Sequence, residues 1–425
     1  MVIRGNMDEL LLAKELENCL NTDLIPFWKN LIDRENGGFC GYMDNDGNKD
    51  PKAPKGGILN SRILWFFSKA AAEFGDDSLE PYMYSAFRFL IDKLWDYEYG
   101  GLYWSVDYAG EVLDDTKHTY NQAFGIYGLC AYYEATGNAR AFHRAIALYD
   151  LIEDKMRDKD GYLEAFSRDF SPASNEKLSE NGVNATRTMN TLLHVMEAYT
   201  ELYRMSAIAG AEDYKKKLFC NLKEIFGLIA DKIYNPKLRR QEVFFDKDYR
   251  SLMDIYSYGH DIESAWLINR AVDVLNDRDT TTRLKPIIDT LTSEVYLQAY
   301  RNNSIPTECA EGTVDEKRVW WVQAEAMTGF YNGYQNDPTH KEYLQATFDI
   351  WDYIKKNLVN KNLYPSEWYW YVEADGTPSY ERPLVEPWKC PYHNGRMCME
   401  MIGRIRGKDK ESYLEAASKD GENKL

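Results

Sequence analysis

The sequence predicts an all-α protein, an (α/α)6 barrel of six helical hairpins with short β-hairpin loops at the active-site end. Three observations predict it. Helical periodicity dominates the chain. Its helices alternate strictly between a charged, amphipathic kind and an apolar kind rich in small residues. The pair recurs six times, each unit taking about 70 of the 425 residues.

The charged helices are expected near 7–32, 80–96, 139–157, 212–234, 282–300 and 340–359. Each shows one apolar stripe and one polar face, the pattern of a helix with one side in water. The apolar helices are expected near 58–74, 119–136, 186–206, 261–276, 317–335 and 393–406. They lack a wide polar face and must be buried. Between a charged helix and the apolar one after it lie GGFCGYMDNDG, GGLYWSVDYAG, DGYLEAFSRDF, VFFDKDYRSL and WYWYVEADG. These alternate, are rich in aromatics and turn on Asp or Gly, so each reads as a short β-hairpin. Six such units close most economically into a ring with the apolar helices inside, since an open array would leave a face exposed. No Pro/Ser-rich linker breaks the series. One catalytic domain over 1–425 is expected, with the charged tail 408–425 frayed.

A net charge of −17 and a pI near 5.0 give no basic footprint for nucleic acid. The N-terminal stretch MVIRGNMDELLLAKELENCL carries charges through its apolar residues, so it reads as an amphipathic helix and not a signal peptide. No apolar window approaches a membrane span. Seven scattered cysteines fit free thiols in a reducing cytoplasm. A monomer or weak homo-oligomer is expected. With 32 Tyr and 11 Trp, part of the aromatic surplus suits a cleft that stacks the flat faces of sugar rings.

In a ring of hairpins all inner helices run the same way, so their N-termini and the loops meet at one end. There the sequence places Arg62, then His118, Tyr120 and Asn121, then Asn190 and His194. His260, Asp261, Glu263 and Trp266 open the fourth inner helix, Arg318, Trp321 and Glu325 the fifth, and His393 and Arg396 the sixth. Four of the six histidines fall at this end; His143 and His340 sit among charges on outer helices. A lone histidine is more often a satisfied core ring, but four from four repeats at one end point to a single site.

The stretch EPWKCPYHNGRMCMEM raises a metal reading through Cys390, His393 and Cys398. It lacks a second half-motif, and residues 393 and 398 point about 140° apart on a helix. Cys398 is read as core, Cys390 as a loop thiol near the site, and no metal or other cofactor is expected. Histidine, with a pKa near ~6.5, both takes and gives protons at neutral pH. Two of them facing one carbon suit removal and return of a proton beside an aldehyde. The enediolate so formed needs cationic stabilisation, which Arg62 and the converging helix N-termini can supply.

The chain resembles cellobiose 2-epimerases, within the N-acylglucosamine 2-epimerase superfamily. The resemblance runs nearly the whole length and is carried by SRILWFFSKA, KHTYNQAFGIYGL, SENG…TMNTLLHVMEAYTELY, YSYGHDIESAWL, RVWWVQAEAMTGFYNGY and PWKCPYHNGRMCMEM. It implies epimerisation at C2 of the reducing-end glucose of β-1,4-linked disaccharides such as cellobiose and lactose. It implies His260 and His393 as the acid/base pair, His194 as assisting ring opening, and Arg62 as stabilising the enediolate. Tyr120, Asn190, Glu263, Trp266, Trp321, Glu325 and Trp388 are implied as substrate-binding residues, with Trp388 a stacking platform. Three rivals stand beside this reading: a glycoside hydrolase using Glu263 and Glu325, a monosaccharide epimerase or aldose–ketose isomerase, and a non-catalytic sugar-binding barrel.

Overall fold

The computed structural model describes residues 2–175, 177 and 181–407. The tail 408–425, expected to fray, lies outside the described residues, as do Ser179 and Glu180 of the SENG block. In chain order the helices are α1 (Val2–Asn18), α2 (Ile25–Lys29), α3 (Gly57–Phe74), α4 (Glu80–Asp92), α5 (Thr119–Thr136), α6 (Ala139–Lys155) and α7 (Met189–Ile208). They continue as α8 (Glu212–Leu228), α9 (Tyr258–Leu275), α10 (Arg278–Ala299), α11 (Trp320–Asn336), α12 (Lys341–Tyr353) and α13 (Tyr392–Arg406).

The apolar helices α3, α5, α7, α9, α11 and α13 touch one another in that order, and α13 touches α3. The ring is therefore closed, as the alternating pattern predicts. Its members are enclosed on all sides: every residue of α5 from Thr119 to Tyr132 is buried. Small residues let the helices approach. At Gly128 a Cβ would fall 2.5 Å from the Ser61 carbonyl oxygen of α3, so only glycine fits. Outer helices bury one stripe alone, as α6 does through Ala141, Ala145, Leu148 and Ile152.

The packing pairs are offset by one element from the repeat read in the sequence. Outer helices α4, α6, α8, α10 and α12 each pack chiefly on the inner helix before them, and α1 packs on α13. The first element of the chain thus covers the last. Helix starts differ from expectation where short strands intervene. α7 and α11 begin at Met189 and Trp320, after the strands Arg187–Thr188 and Arg318–Val319. The first charged helix, expected to run unbroken over 7–32, is interrupted by a π-turn at Cys19–Leu24.

The connectors do turn back as hairpins, but each also pairs with the neighbouring repeat. The strand entering each inner helix runs antiparallel to the connector of the next repeat: Lys55–Gly56 with Ser105–Val106, Lys117–His118 with Ala165–Phe166, and Arg187–Thr188 with Phe244–Phe245. Ile255–Ser257 pairs with Glu308–Ala310, Arg318–Val319 with Tyr371–Val372, and a bridge from Met43 to Val385 closes the circle. The hairpin Glu308–Ala310 to Thr313–Asp315 was not among those expected, because ECAEGTVD has no aromatic residue. Its turn residues Glu311 and Gly312 both have positive φ, 48° and 77°.

Ion pairs, each with a buried cation, lock four of these junctions. Lys55 meets Asp33 at 2.7 Å, Lys117 meets Asp96 at 3.0 Å, Arg187 meets Asp158 at 2.6 Å, and Lys389 meets Glu367 at 3.0 Å. At the opposite end, where the inner helices finish, charges cross the floor of the barrel. Lys69 pairs with Glu73 at 2.8 Å and Glu134 at 3.6 Å, and Arg204 with Glu134 at 2.7 Å and with Glu201. Arg270 joins Glu201 to Glu400, and Arg404 joins Glu400 to Asn332. All six inner helices contribute to this network.

Candidate active site

At the N-terminal end of the inner helices a cleft of about 1070 Å³, mouth included, opens to solvent. Arg62, Tyr120, Asn190, His194, His260, Glu263, Trp321, Trp388 and His393 line it. Nine of the eleven residues expected at the site therefore share one cavity. The exceptions are Trp266 and Glu325, expected to contact substrate, which stand one layer behind the wall. Glu325 Oε1 lies 2.7 Å from His393 Nδ1, and the Trp266 indole donates to Glu325 Oε2 at 2.9 Å. They hold the wall in place. His118, expected at the same end, also stays outside the cleft. It is the last strand residue before α5, and its ring packs 4.6 Å from that of Trp104. His194, His260 and His393 lie within the helices and reach in. His143 and His340 are exposed, as expected.

Each of the three cleft histidines has its Nδ1 engaged, so each presents Nε2. His194 Nδ1 lies 2.9 Å from Glu197 Oε2, His393 Nδ1 2.7 Å from Glu325, and His260 Nδ1 2.7 Å from the Ser257 hydroxyl. Burial lowers all three pKa values, that of His260 to about 3 with His194 adding to the effect. For His393, burial and then the Arg396 guanidinium push the value well down. All three rings are neutral near pH 7 and carry a lone pair. An ionised carboxylate only accepts, so Glu197, held ionised, fixes His194 as the Nδ1–H tautomer; burial raises the Glu325 carboxyl behind His393.

Arg396 neutralises the acids behind the cleft. It reaches Glu197 at 2.6 Å, Glu263 at 2.5 Å and Glu325 at 2.7 Å. Burial raises the Glu197 carboxyl, but Arg396, His194 and Tyr392 together hold it down at about 2. Glu263 goes the other way, to about 8, because burial and the nearby Glu325 outweigh Arg396. Among the described residues its Oε2 has no hydrogen-bond partner. Glu263, Glu325 and His393 lie close enough to hold a cation, but the Arg396 guanidinium already sits against both carboxylates.

Arg62 is the contrasting cation. It is buried, donates to the Tyr120 hydroxyl at 2.8 Å and approaches Cys390 Sγ at 3.8 Å. Its guanidinium lies over Phe124 and Tyr392, 4.0 and 4.6 Å from the ring centroids. Among the described residues no carboxylate pairs with it, so its charge is available to a ligand. Cys390 lies beside it in the loop before α13, as expected, and is fully buried, and Cys398 lies in the core. Trp320, Trp321, Trp370 and Trp388 supply the aromatic walls.

Several residues of the site escaped the sequence reading. Glu197 is one; an acid three residues after His194 on an otherwise apolar inner helix was the available signal. Ser257, Tyr392 and Trp370 are others, and Lys177, Asn181, Thr307 and Glu308 reach the cleft from connectors.

A closed α barrel whose mouth gathers neutral histidines, an unpaired arginine and tryptophan walls defines a sugar-handling enzyme of the (α/α)6 class. The model of the N-acylglucosamine 2-epimerase family matches residues 37–394. A cellobiose 2-epimerase of Eubacterium cellulosolvens is 48% identical over 392 residues, 90% of this chain and 96% of that one. The solved structure of cellobiose 2-epimerase from Bacillus thermoamylovorans is 42% identical with a TM-score of 0.87, covering 93% of this chain and 99% of the other. A D-mannose isomerase, 19% identical with a TM-score of 0.76, covers 93% and 98% and shares the fold. The chain belongs to the N-acylglucosamine 2-epimerase family, and it is an isomerase.

Proposed function

We propose that the whole chain forms one catalytic domain that epimerises the reducing-end glucose of β-1,4-linked disaccharides at C2, turning cellobiose into glucosyl-mannose and lactose into epilactose. The observation that carries this reading is the set of neutral histidines presenting Nε2 to a cleft that also holds the unpaired charge of Arg62. With the sugar ring open, one of His260 and His393 takes the C2 proton. The C2–H electron pair forms the C1–C2 double bond, and negative charge gathers on O1. Arg62 and the Tyr120 hydroxyl face that charge, a type of stabilisation worth several kcal/mol in a dry site. The other histidine, first protonated at Nε2 by water in the open cleft, returns that proton to the opposite face of C2, and the first histidine gives the C2 proton up to water. His194 assists opening and closing of the ring. Glu263, Asn190 and Tyr120 bind hydroxyls, and Trp388 stacks on the sugar. The relatives named as cellobiose 2-epimerases support the substrate class. A chain with no helix among the described residues long and apolar enough to cross a membrane, and seven free cysteines, fits the cytoplasm. We expect a monomer or weak homo-oligomer.

A hydrolase reading loses ground on geometry. Glycosidase carboxyls flank the scissile bond. Here Glu263 and Glu325 both rest on one Arg396 nitrogen, and Glu325 does not line the cleft. Turnover of cellobiose in D2O is the test. Glucosyl-mannose carrying deuterium at C2 by NMR is expected, because an imidazole proton exchanges with water. An unlabelled epimer would exclude proton transfer at C2, and free glucose would restore the hydrolase reading.

A further inference from the structure

The three cleft histidines are not backed alike. Glu197 stands behind His194 and Glu325 behind His393, whereas the partner of His260 Nδ1 is the uncharged hydroxyl of Ser257 at 2.7 Å. Ser257 is the last residue of the strand Ile255–Ser257 and the N-cap of α9, and it is buried. Its place is fixed from both sides. The strand pairs Ser257 with Glu308, and His260 follows in the first turn of α9. The His260 ring also leans on Trp321, with centroids 4.7 Å apart. Ring and hydroxyl thus form a rigid pair on the cleft wall.

We infer that Ser257 is a positioning residue for the C2 chemistry: it turns Nε2 of His260 to the substrate and, by being uncharged, leaves His260 without the carboxylate support that His194 and His393 have. This rests on the reading of His260 as an acid/base group. A carboxylate behind an imidazole stabilises its protonated form, typically by one to three pKa units when buried; a hydroxyl does not. A hydroxyl also donates or accepts, so Ser257 supports either tautomer, whereas an ionised carboxylate such as Glu197 permits one. The groups facing His260 from packed elements are His194 on α7, Glu325 on α11, His393 on α13 and Glu308 across the strand, with Glu263 on its own helix. Burial and His194 hold the ring neutral. Neutral His260 takes a proton at any pH above its own pKa, so its protonation sets an acidic edge of activity that lies low in the parent enzyme.

The experiment is the pH profile of kcat/KM on cellobiose for the parent, Ser257→Ala, Ser257→Thr and Ser257→Asp, with folding checked by melting temperature. Ser257→Ala should lower kcat about ten-fold or more with KM little changed, and Ser257→Thr should restore most of it. Ser257→Asp should move the acidic edge up by about one pH unit or more. A residue that merely capped the helix would change melting temperature and leave that edge where it was. If Ser257→Asp folds and its edge coincides with the parent's, the inference is overturned. If Ser257→Asp does not fold, a Ser257→Ala enzyme with parental kcat overturns it. His260→Asn separates the two levels of argument. Retained activity there would sink the role of His260 itself, whereas lost activity with indifferent Ser257 variants would sink only this inference.

Discussion

Replacing Arg396 by methionine tests the electrostatic frame behind the cleft. The side chain is buried and holds three carboxylates at 2.5–2.7 Å. Methionine keeps much of the volume and removes the charge. Stripping a buried ion cluster of one partner costs about 3–5 kcal/mol, because the remaining charges stay desolvated without compensation. An unfolding entropy of ~2.1 cal/mol/K per residue gives about 0.9 kcal/mol/K for this chain, so the melting temperature should fall by about 3–6 °C at neutral pH. The pH dependence carries the sharper signature. In the parent, the depressed Glu197 pKa of about 2 adds stability above its unfolded value that is lost only as pH falls toward 2. Without Arg396 the carboxyls must rise above their unfolded values, so they bind more protons folded than unfolded. Stability then declines as pH rises from about 5 to 8, more steeply than in the parent. Scanning calorimetry from pH 5 to 8 measures both. A variant that melts with the parent at pH 7 and follows the same slope would refute the argument. Activity should also collapse, since Glu197 and Glu325 orient His194 and His393.

Arg62→Ala and His260→Ala should each lower kcat by at least ~10²-fold, the scale of a lost oxyanion or acid–base group, while His143→Ala and His340→Ala should leave steady-state rates unchanged; equal losses at all four would show that position at the helix ends carries no meaning. Glu263→Gln should raise the melting temperature increasingly as pH climbs from about 5 to 8, because the parent carboxyl, shifted up to about 8, loses stability across that window. The same variant should turn over more slowly, and an unchanged melting profile would contradict the assigned shift. Prolonged treatment with a chelator should leave activity intact, because Arg396 already occupies the carboxylates a cation would need; loss on chelation with recovery on adding zinc would contradict this.

The alternation of charged and apolar helices made the ring legible, since only burial on all sides explains helices such as α5. Polar residues at the starts of those helices stood out against an apolar background, which is why His194, His260, His393 and Arg62 could be read. His118 shows the limit of that logic. One residue earlier, on a strand instead of in the helix, the side chain leaves the cleft. The pairing of two-residue strands between repeats left no periodic trace to read. Nor did the division of labour between two arginines, because whether a cation is neutralised depends on carboxylates up to 199 positions away in sequence, as with Arg396 and Glu197. Lys177 and Glu308 enter from connectors whose direction is set by those same pairings.

The network of charges at the barrel floor, opposite the cleft, has a kinetic consequence. With Lys69, Glu134, Arg204, Glu201, Arg270 and Glu400 linked there, the far end of the inner helices is braced, and the cleft opens at the other. A sugar and its epimer that share this mouth compete directly for admission. A guest that lingers can be turned over and back before it departs. On the proposed C2 proton transfer, exchange of that hydrogen with water can run ahead of net conversion, and the ratio of the two rates reports how long the visitor stays.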